Sequence, residues 1–335
     1  MAPRRSEYDV SNRVKTTDPA AVHGEVSRVF LELYPGASSA LVTRAFADCQ
    51  RLYRGEYPGY RPCDTSYHNL QHVLDVTLAM ARLMDGYERG RERPEPIGER
   101  LFEFGIITAL FHDIGYLRNR HDTRHRSGAE YTLRHVSRGA RFIEQYMHDI
   151  GMPELAPIAG RILHFTGYEI PVARIEVPTL MFRLIGNMLG TADILAQMAD
   201  RCYLEKCRDR LYPEFVEGGL ATSGPVFKRA PTAVFSSAED LLYKTPGFYH
   251  TATARLTEQL GAAFDYATDY FGGQNLYLDE VNKNIRYAER VAATGDLGLL
   301  RRVPPPEQVG AAQPAIYREA SRHTRSEPAR IAGRR

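Results

Sequence analysis

Apolar residues recur at helical spacing along most of the chain. Val22, Val26, Val29, Phe30 and Leu33 share one face and predict a helix from Ala21 that Pro35-Gly36 stops. A second helix is predicted over 38–53. The Gly-, Pro- and Tyr-rich stretch 53–67 (YRGEYPGYRPCDTSY) reads as irregular chain. Leu70, Val73, Leu74, Thr77, Leu78 and Leu83 form the stripe of a helix from near Tyr67 to Tyr87, with Thr65 or Ser66 as its N-cap. The run LFEFGIITALFHDIGY (101–116) predicts a helix over 97–114 that carries the adjacent pair His112–Asp113 near its end. An Arg/His-rich loop follows. Further helices are predicted from Gly128 to Gly151, broken near His135, then over 154–166, and over 179–211 up to Tyr212-Pro213. Residues 213–235, with Gly218-Gly219, Gly224-Pro225 and Pro231, read as a long lid-like loop. Helices resume at 237–243, 247–271 and 277–292. There is no alternating strand pattern and no internal repeat. The chain reads as all-α: a single helical bundle over 21–292, a flexible N-terminal segment 1–20, and a disordered Arg/Pro-rich tail 293–335.

Composition changes this picture little. Of 335 residues, 43% are hydrophobic and 25% charged, ordinary values for a globular chain. The net charge of +2 conceals an asymmetry. Eight arginines against four acidic residues give the tail +4, and the first twenty residues carry +1, which leaves the body at −3. A body of that sign is not a nucleic-acid binder. No apolar run reaches the roughly 18 residues of a membrane span. The N-terminus does not read as a signal peptide. The four cysteines (Cys49, Cys63, Cys202, Cys207) lack CxxC spacing and fit a reducing cytoplasm. Cys202 and Cys207 read as helix-packing residues rather than zinc ligands.

Histidines and aspartates then fall where the apolar pattern would bury them. His68 and His72, in YHNLQH, are four apart and share a helix face. His112 and Asp113 set a neutral nitrogen ligand beside an anionic oxygen ligand, a start on a divalent metal site. His135 opens HVSRGARFIEQY, His164 ends an apolar helix in IAGRILHFTGYE, and Asp193 lies in LIGNMLGTADILAQMADR. Such residues are costly to bury unless hydrogen-bonded or metal-bound. Each alone reads as readily as a satisfied core residue. Their joint occurrence, on separate apolar helices, points to metal.

From Tyr67 to Lys206 this set resembles the HD superfamily of metal-dependent phosphohydrolases. His72, His112, Asp113 and Asp193 match its core, which implies that they hold one divalent ion. His135 and His164 match members with a second ion, where the aspartate of the pair, here Asp113, bridges the two. The YHNLQH segment resembles the YHN-x-x-H signature of class I cyclic nucleotide phosphodiesterases. That likeness implies His68 as the general acid and His72 as a ligand. ADILAQMADR and the following RLYPEF are also similar to that family. Three features depart from the pattern. Ile114-Gly115-Tyr116 replaces the usual continuation to another histidine. No residue matches the purine-binding glutamine with its aromatic clamp, since Gln197 lies too close to Asp193. Phe165–Tyr168 stands where cyclic dinucleotide phosphodiesterases have Gly-Tyr-Pro.

The resemblance implies an HD-type catalytic domain that hydrolyses a cyclic nucleotide or similar phosphodiester. Two divalent ions (Fe, Mn, Zn or Mg) would share an attacking hydroxide, and His68 and Asp113 would be the catalytic residues. The expected partner is a small phosphorylated substrate, a nucleotide, with neither membrane nor nucleic acid involved. Asn69, Arg118 and Arg124 are the expected substrate contacts. The loop arginines, with Arg120 and Arg126 beside them, read equally as a solvated basic loop. Asp200 reads as a salt-bridge residue. A di-iron HD-domain oxygenase, or a nucleotide or phosphomonoester hydrolase, would use the same ligands, but an oxygenase needs no acid at His68. A non-catalytic metal-binding sensor or scaffold would suit a degenerate site, whereas here every ligand position is filled.

Overall fold

Short polar side chains that accept the first unpaired backbone amides set the helix starts. In the computed structural model, which describes residues 4–90, 94–222 and 234–306, Asp18 caps α1 (Pro19–Leu33). Helix α2 spans Ala40–Tyr53. Asn69, rather than Thr65 or Ser66, caps α3 (Leu70–Arg89). Its Oδ1 accepts from Gln71 N at 2.9 Å, while Thr65 donates to the His68 carbonyl and so closes the turn before the helix. Helix α4 (Glu99–Phe111) stops just before His112–Asp113, and a 3₁₀ turn, Ile114–Tyr116, follows. Next come α5 (His135–Asp149), α6 (Ala156–Leu163) and α7 (Leu180–Met198), the last capped by Thr179.

The single helix expected over 179–211 is interrupted. Asp200 accepts the Cys202 amide at 2.7 Å, and Asn284 Nδ2 donates to the Met198 and Asp200 carbonyls at 2.9 and 2.7 Å. These bonds satisfy the end of α7 and turn the chain into α8 (Tyr203–Lys206), a π-helical turn (Cys207–Leu211) and α9 (Tyr212–Glu217). Pro213 does not stop the helix, because it lies in the first turn of α9, where a missing N–H costs little. The start of the expected lid-like loop is therefore helical, and its centre, 223–233, lies outside the described residues. Helix α10 (Ala238–Ala254) runs through Pro246, and α11 (Tyr266–Tyr270) and α12 (Leu276–Thr294) complete the bundle. Among the described residues only isolated bridges, such as Tyr8 with Lys15, interrupt an all-helical fold. No described helix is long and apolar enough to cross a membrane.

Helix α3 is the axis. It is buried on every face and packs against α1, α4, α7 and α11. Four of its charged residues, Arg82, Asp85, Glu88 and Arg89, are partnered. Arg82 meets Asp9 at 2.6 Å, Asp85 accepts from Arg89 at 2.7 Å, and Glu88 accepts from Tyr34 at 2.7 Å. The Arg82–Asp9 pair draws the N-terminal segment onto the bundle. Residues 4–18, expected within a flexible segment 1–20, pack there instead, with Asp9, Val14 and Thr16 buried. Residues 295–306 also fold back, and Arg302 donates to Asn284 Oδ1 at 2.7 Å. The rest of the expected tail, 307–335, lies outside the described residues. All four cysteines are buried thiols without disulfides.

Burial pushes the Asp9 carboxyl up, but Arg82, Ser11 and the Val14 amide outweigh it and hold it at about 2. The stability this carboxylate contributes is full above its ordinary value of 3.8 and is lost as pH falls toward 2. Asp9→Ala strands a buried guanidinium and is expected to cost about 3–5 kcal/mol in chemical denaturation. Gly115 faces a different constraint: a Cβ there would lie 1.8 Å from the His135 carbonyl oxygen. Gly115→Ala is expected to destabilise by at least about 2 kcal/mol. Gly247→Ala, in an exposed helical position with nothing within 4 Å, is expected to stabilise by about 0.5–1 kcal/mol in the same assay.

Candidate metal centre

Helix ends bring the candidate ligands together. His72 comes from the first turn of α3, His112 from the C-cap of α4 with Asp113 just beyond it, His135 from the first residue of α5, and Asp193 from within α7. His72 Nε2 lies 3.3 Å from Asp113 Oδ2, 3.3 Å from Asp193 Oδ1 and 3.4 Å from His112 Nε2. His112 Nε2 lies 3.3 Å from Asp113 Oδ2 and 3.9 Å from Asp193 Oδ1. His112 Nδ1 donates to the Ala109 carbonyl at 2.8 Å, which leaves Nε2 as the lone-pair nitrogen facing the cluster. Asp113 points its other oxygen elsewhere: Oδ1 lies 3.6 Å from His135 Nε2, and His135 Nδ1 is tied to the Thr132 carbonyl at 2.7 Å.

The arrangement fits a divalent ion. His72, His112 and Asp113 form a mixed nitrogen and oxygen group in which His112 and Asp113 are buried. Asp113 Oδ2 is buried yet makes no hydrogen bond, although two imidazole nitrogens stand 3.3 Å away. Nitrogens that converge on a buried carboxylate oxygen without bonding it are what a shared cation requires. Ligands about 2.1 Å from an ion in tetrahedral to octahedral array stand roughly 3.0–3.4 Å apart. His164 is placed less tightly. It follows α6, its Nδ1 is buried without a hydrogen-bond partner, and it feels the Glu169 carboxylate. No contact joins it to Asp113 or His135 as the group stands.

Charge follows burial and proximity. Burial opposes ionisation of Asp113, but His112, His72 and His68 outweigh it and hold its carboxyl well below the usual range. Burial likewise opposes a proton on His72, yet Asp113 and Asp193 outweigh that and push it up to about 10. His112 is also raised, against its burial, mainly by Asp113. His135 and His164 are lowered, in both cases chiefly by burial.

His68 sits beside the cluster, its ring centroid 5.8 Å from that of His72. Its Nδ1 contacts Glu214 Oε2 at 2.6 Å, and the same carboxylate accepts the backbone amides of Tyr67 and His68. Glu214, 3% exposed on α9, was not singled out in the sequence. Its sequence signal is an acidic residue inside RLYPEF, which runs from the end of the helix expected over 179–211 into the loop expected from 213. Glu169, which reads from the sequence as close to the site along the chain only, accepts the Val136 and Ser137 amides and so caps α5 behind His135. The expected substrate contacts are placed differently. Asn69 is occupied as the α3 cap, and its Nδ2 donates to the Ser66 carbonyl at 2.7 Å. Arg118 pairs with Asp64 and donates to the His125 carbonyl at 2.8 Å. Arg124 is exposed on a loop whose amides Asp122 caps. Asp200 pairs with Lys206, as expected of a salt-bridge residue.

The chain is similar in fold to the phosphodiesterase domain of the RhoPDE fusion protein from the choanoflagellate Salpingoeca rosetta. The TM-score is 0.51 at 16% identity, over 88% of this chain and 97% of that one. A second structure, the phosphodiesterase domain of Salpingoeca rosetta rhodopsin phosphodiesterase, aligns with a TM-score of 0.49 at 15% identity, over 87% and 92% of the two chains. No family model and no curated protein matches the sequence.

A ligand imidazole must be neutral, so loading the centre has to expel the proton that the two carboxylates keep on His72. Adding Mn²⁺ to chelator-treated protein at pH 7 in weak buffer is expected to release protons, read with a pH indicator. Affinity is expected to weaken as pH falls. Asp113→Asn should abolish both the proton release and the accompanying rise in Tm.

Proposed function

We propose that this protein is a metal-dependent phosphodiesterase acting on a cyclic nucleotide or a similar small phosphodiester. The observation that carries the proposal is His68: an imidazole anchored through Nδ1 to a buried carboxylate, with His72 of the candidate centre beside it. The fold similarity to a phosphodiesterase domain supports it. His72, His112, Asp113 and Asp193 would hold one ion, and His135 with Asp113, together with His164, a second. Bound ions would neutralise phosphate charge and lower the pKa of a coordinated water.

The chain's own residues do the rest. Glu214 accepts the Nδ1–H of His68 and fixes the ring, so that Nε2 is the atom from which a second proton would be given. That proton passes to the leaving oxygen as the phosphorus–oxygen bond breaks, and His68 is left neutral with Nδ1–H still on Glu214. The two oxygens of Asp113 face different partners, the His72–His112 pair and His135, which suits a carboxylate that serves two positions at once. Deep burial of His112 and Asp113 keeps water from screening these charges.

Purified protein reloaded with Mn²⁺ or Mg²⁺ is to be screened against cyclic nucleotides and other phosphodiesters, with release of the linear product as readout. His68→Ala is expected to lower kcat about 10²- to 10⁴-fold while metal content by elemental analysis stays unchanged. Full activity of that variant would remove the acid role. Iron in the isolated protein with substrate-dependent oxygen uptake would replace hydrolysis by oxygenation.

A further inference from the structure

Tyr116 stands in the 3₁₀ turn directly after His112–Asp113 and is 2% exposed. Its ring is stacked on His68, with centroids 4.4 Å apart and planes 15° from parallel. The same ring is stacked on His135, at 4.3 Å and 20°. One phenol therefore touches two imidazoles, His68 in the turn before α3 rather than on the helix face expected of it, and His135 at the start of α5. One belongs to the acid, and the other faces Asp113 Oδ1.

Each of these imidazoles has one hydrogen bond through Nδ1: His68 with Glu214, His135 with the Thr132 carbonyl. A single hydrogen bond fixes the direction of an N–H vector and leaves the ring free to turn about it. Turning swings the plane in which Nε2 and its lone pair or proton lie. A stacked aromatic face removes that freedom, and such contacts contribute about 0.5–1.5 kcal/mol beyond area burial.

The stacking surface is itself held. Arg138 Nε donates to the Gly115 carbonyl at 2.8 Å and its Nη2 to the Leu117 carbonyl at 3.0 Å, on either side of Tyr116. Gly115 lies so close to the His135 carbonyl that no side chain would fit, so the turn is seated on the start of α5.

We propose that Tyr116 is a positioning residue whose ring sets the planes of His68 and His135 together. The Nε2 atoms of the acid and of the His135 ligand would then address one space in register. The kinetic half of this inference rests on the phosphodiesterase reading; the structural half does not.

Two measurements separate these halves. In metal-free wild-type protein, the ring protons of His68 and His135 are expected upfield of ordinary imidazole positions by NMR, with cross-relaxation to the Tyr116 ring. Both sets should move downfield in Tyr116→Leu and stay in Tyr116→Phe. Kinetically, Tyr116→Leu is expected to lower kcat about 10- to 100-fold with KM within about threefold, and Tyr116→Phe to retain near wild-type turnover. Imidazole shifts that do not respond to Tyr116→Leu overturn the proposal. So does equal impairment of both variants, which would assign the role to the hydroxyl. If Tyr116→Leu does not fold, absence of the wild-type cross-relaxation overturns it. A wild-type protein that hydrolyses no phosphodiester sinks the functional reading, while the imidazole shifts still decide the stacking.

Discussion

Everything near the centre depends on the burial of one carboxylate. Asp113 is 3% exposed, ionised against its own desolvation, and has an oxygen that bonds nothing. A charge taken that far from water has to be met by other charges. In this fold the compensation arrives as imidazoles from α3, α4, α5 and the turn before α3, and three of them are oriented by a backbone carbonyl or a carboxylate behind the ring. His112 is set by Ala109 and His135 by Thr132, while His68 is set by Glu214. The outer partners matter as much as the inner ones, because an imidazole can present only one nitrogen usefully and the second bond determines which.

The bundle pays a similar cost at its other end and meets it in the same way. Helix α3 carries His72 in its first turn and the buried Arg82 three turns later, so one helix joins the candidate centre to the Arg82–Asp9 pair. That pair holds the N-terminal segment against the axis. Asn284, from α12, caps the end of α7 five residues after Asp193 and fixes where the chain turns toward Glu214. Polar groups in the interior thus act as register marks between helices whose apolar surfaces alone would tolerate sliding.

Much of this was legible in the chain. Helical periodicity gave the all-α class and the existence of nearly every helix, because burial of one stripe is a local requirement written at fixed spacing. The histidines and aspartates stood out because they interrupt apolar runs. Boundaries were less legible where long-range bonds decide them. The break after Met198 needs Asn284, which lies 86 residues away. The order of residues 4–18 needs Arg82, whose buried charge gives no periodic signal. Pro213 and Pro246 looked like helix stops and are not.

The sequence by itself determined the fold class, the helices that carry chemistry and the residue types that could bind a metal, since these follow from spacing and side-chain identity. Only the tertiary structure decided which nitrogens and oxygens converge, that Asn69 and Arg118 are spent on capping and pairing, and that Glu214 and Tyr116 stand against His68. Those are contacts between segments far apart in the chain. Their formation depends on how helices pack, and helix packing is set by the whole surface of each partner rather than by any short pattern.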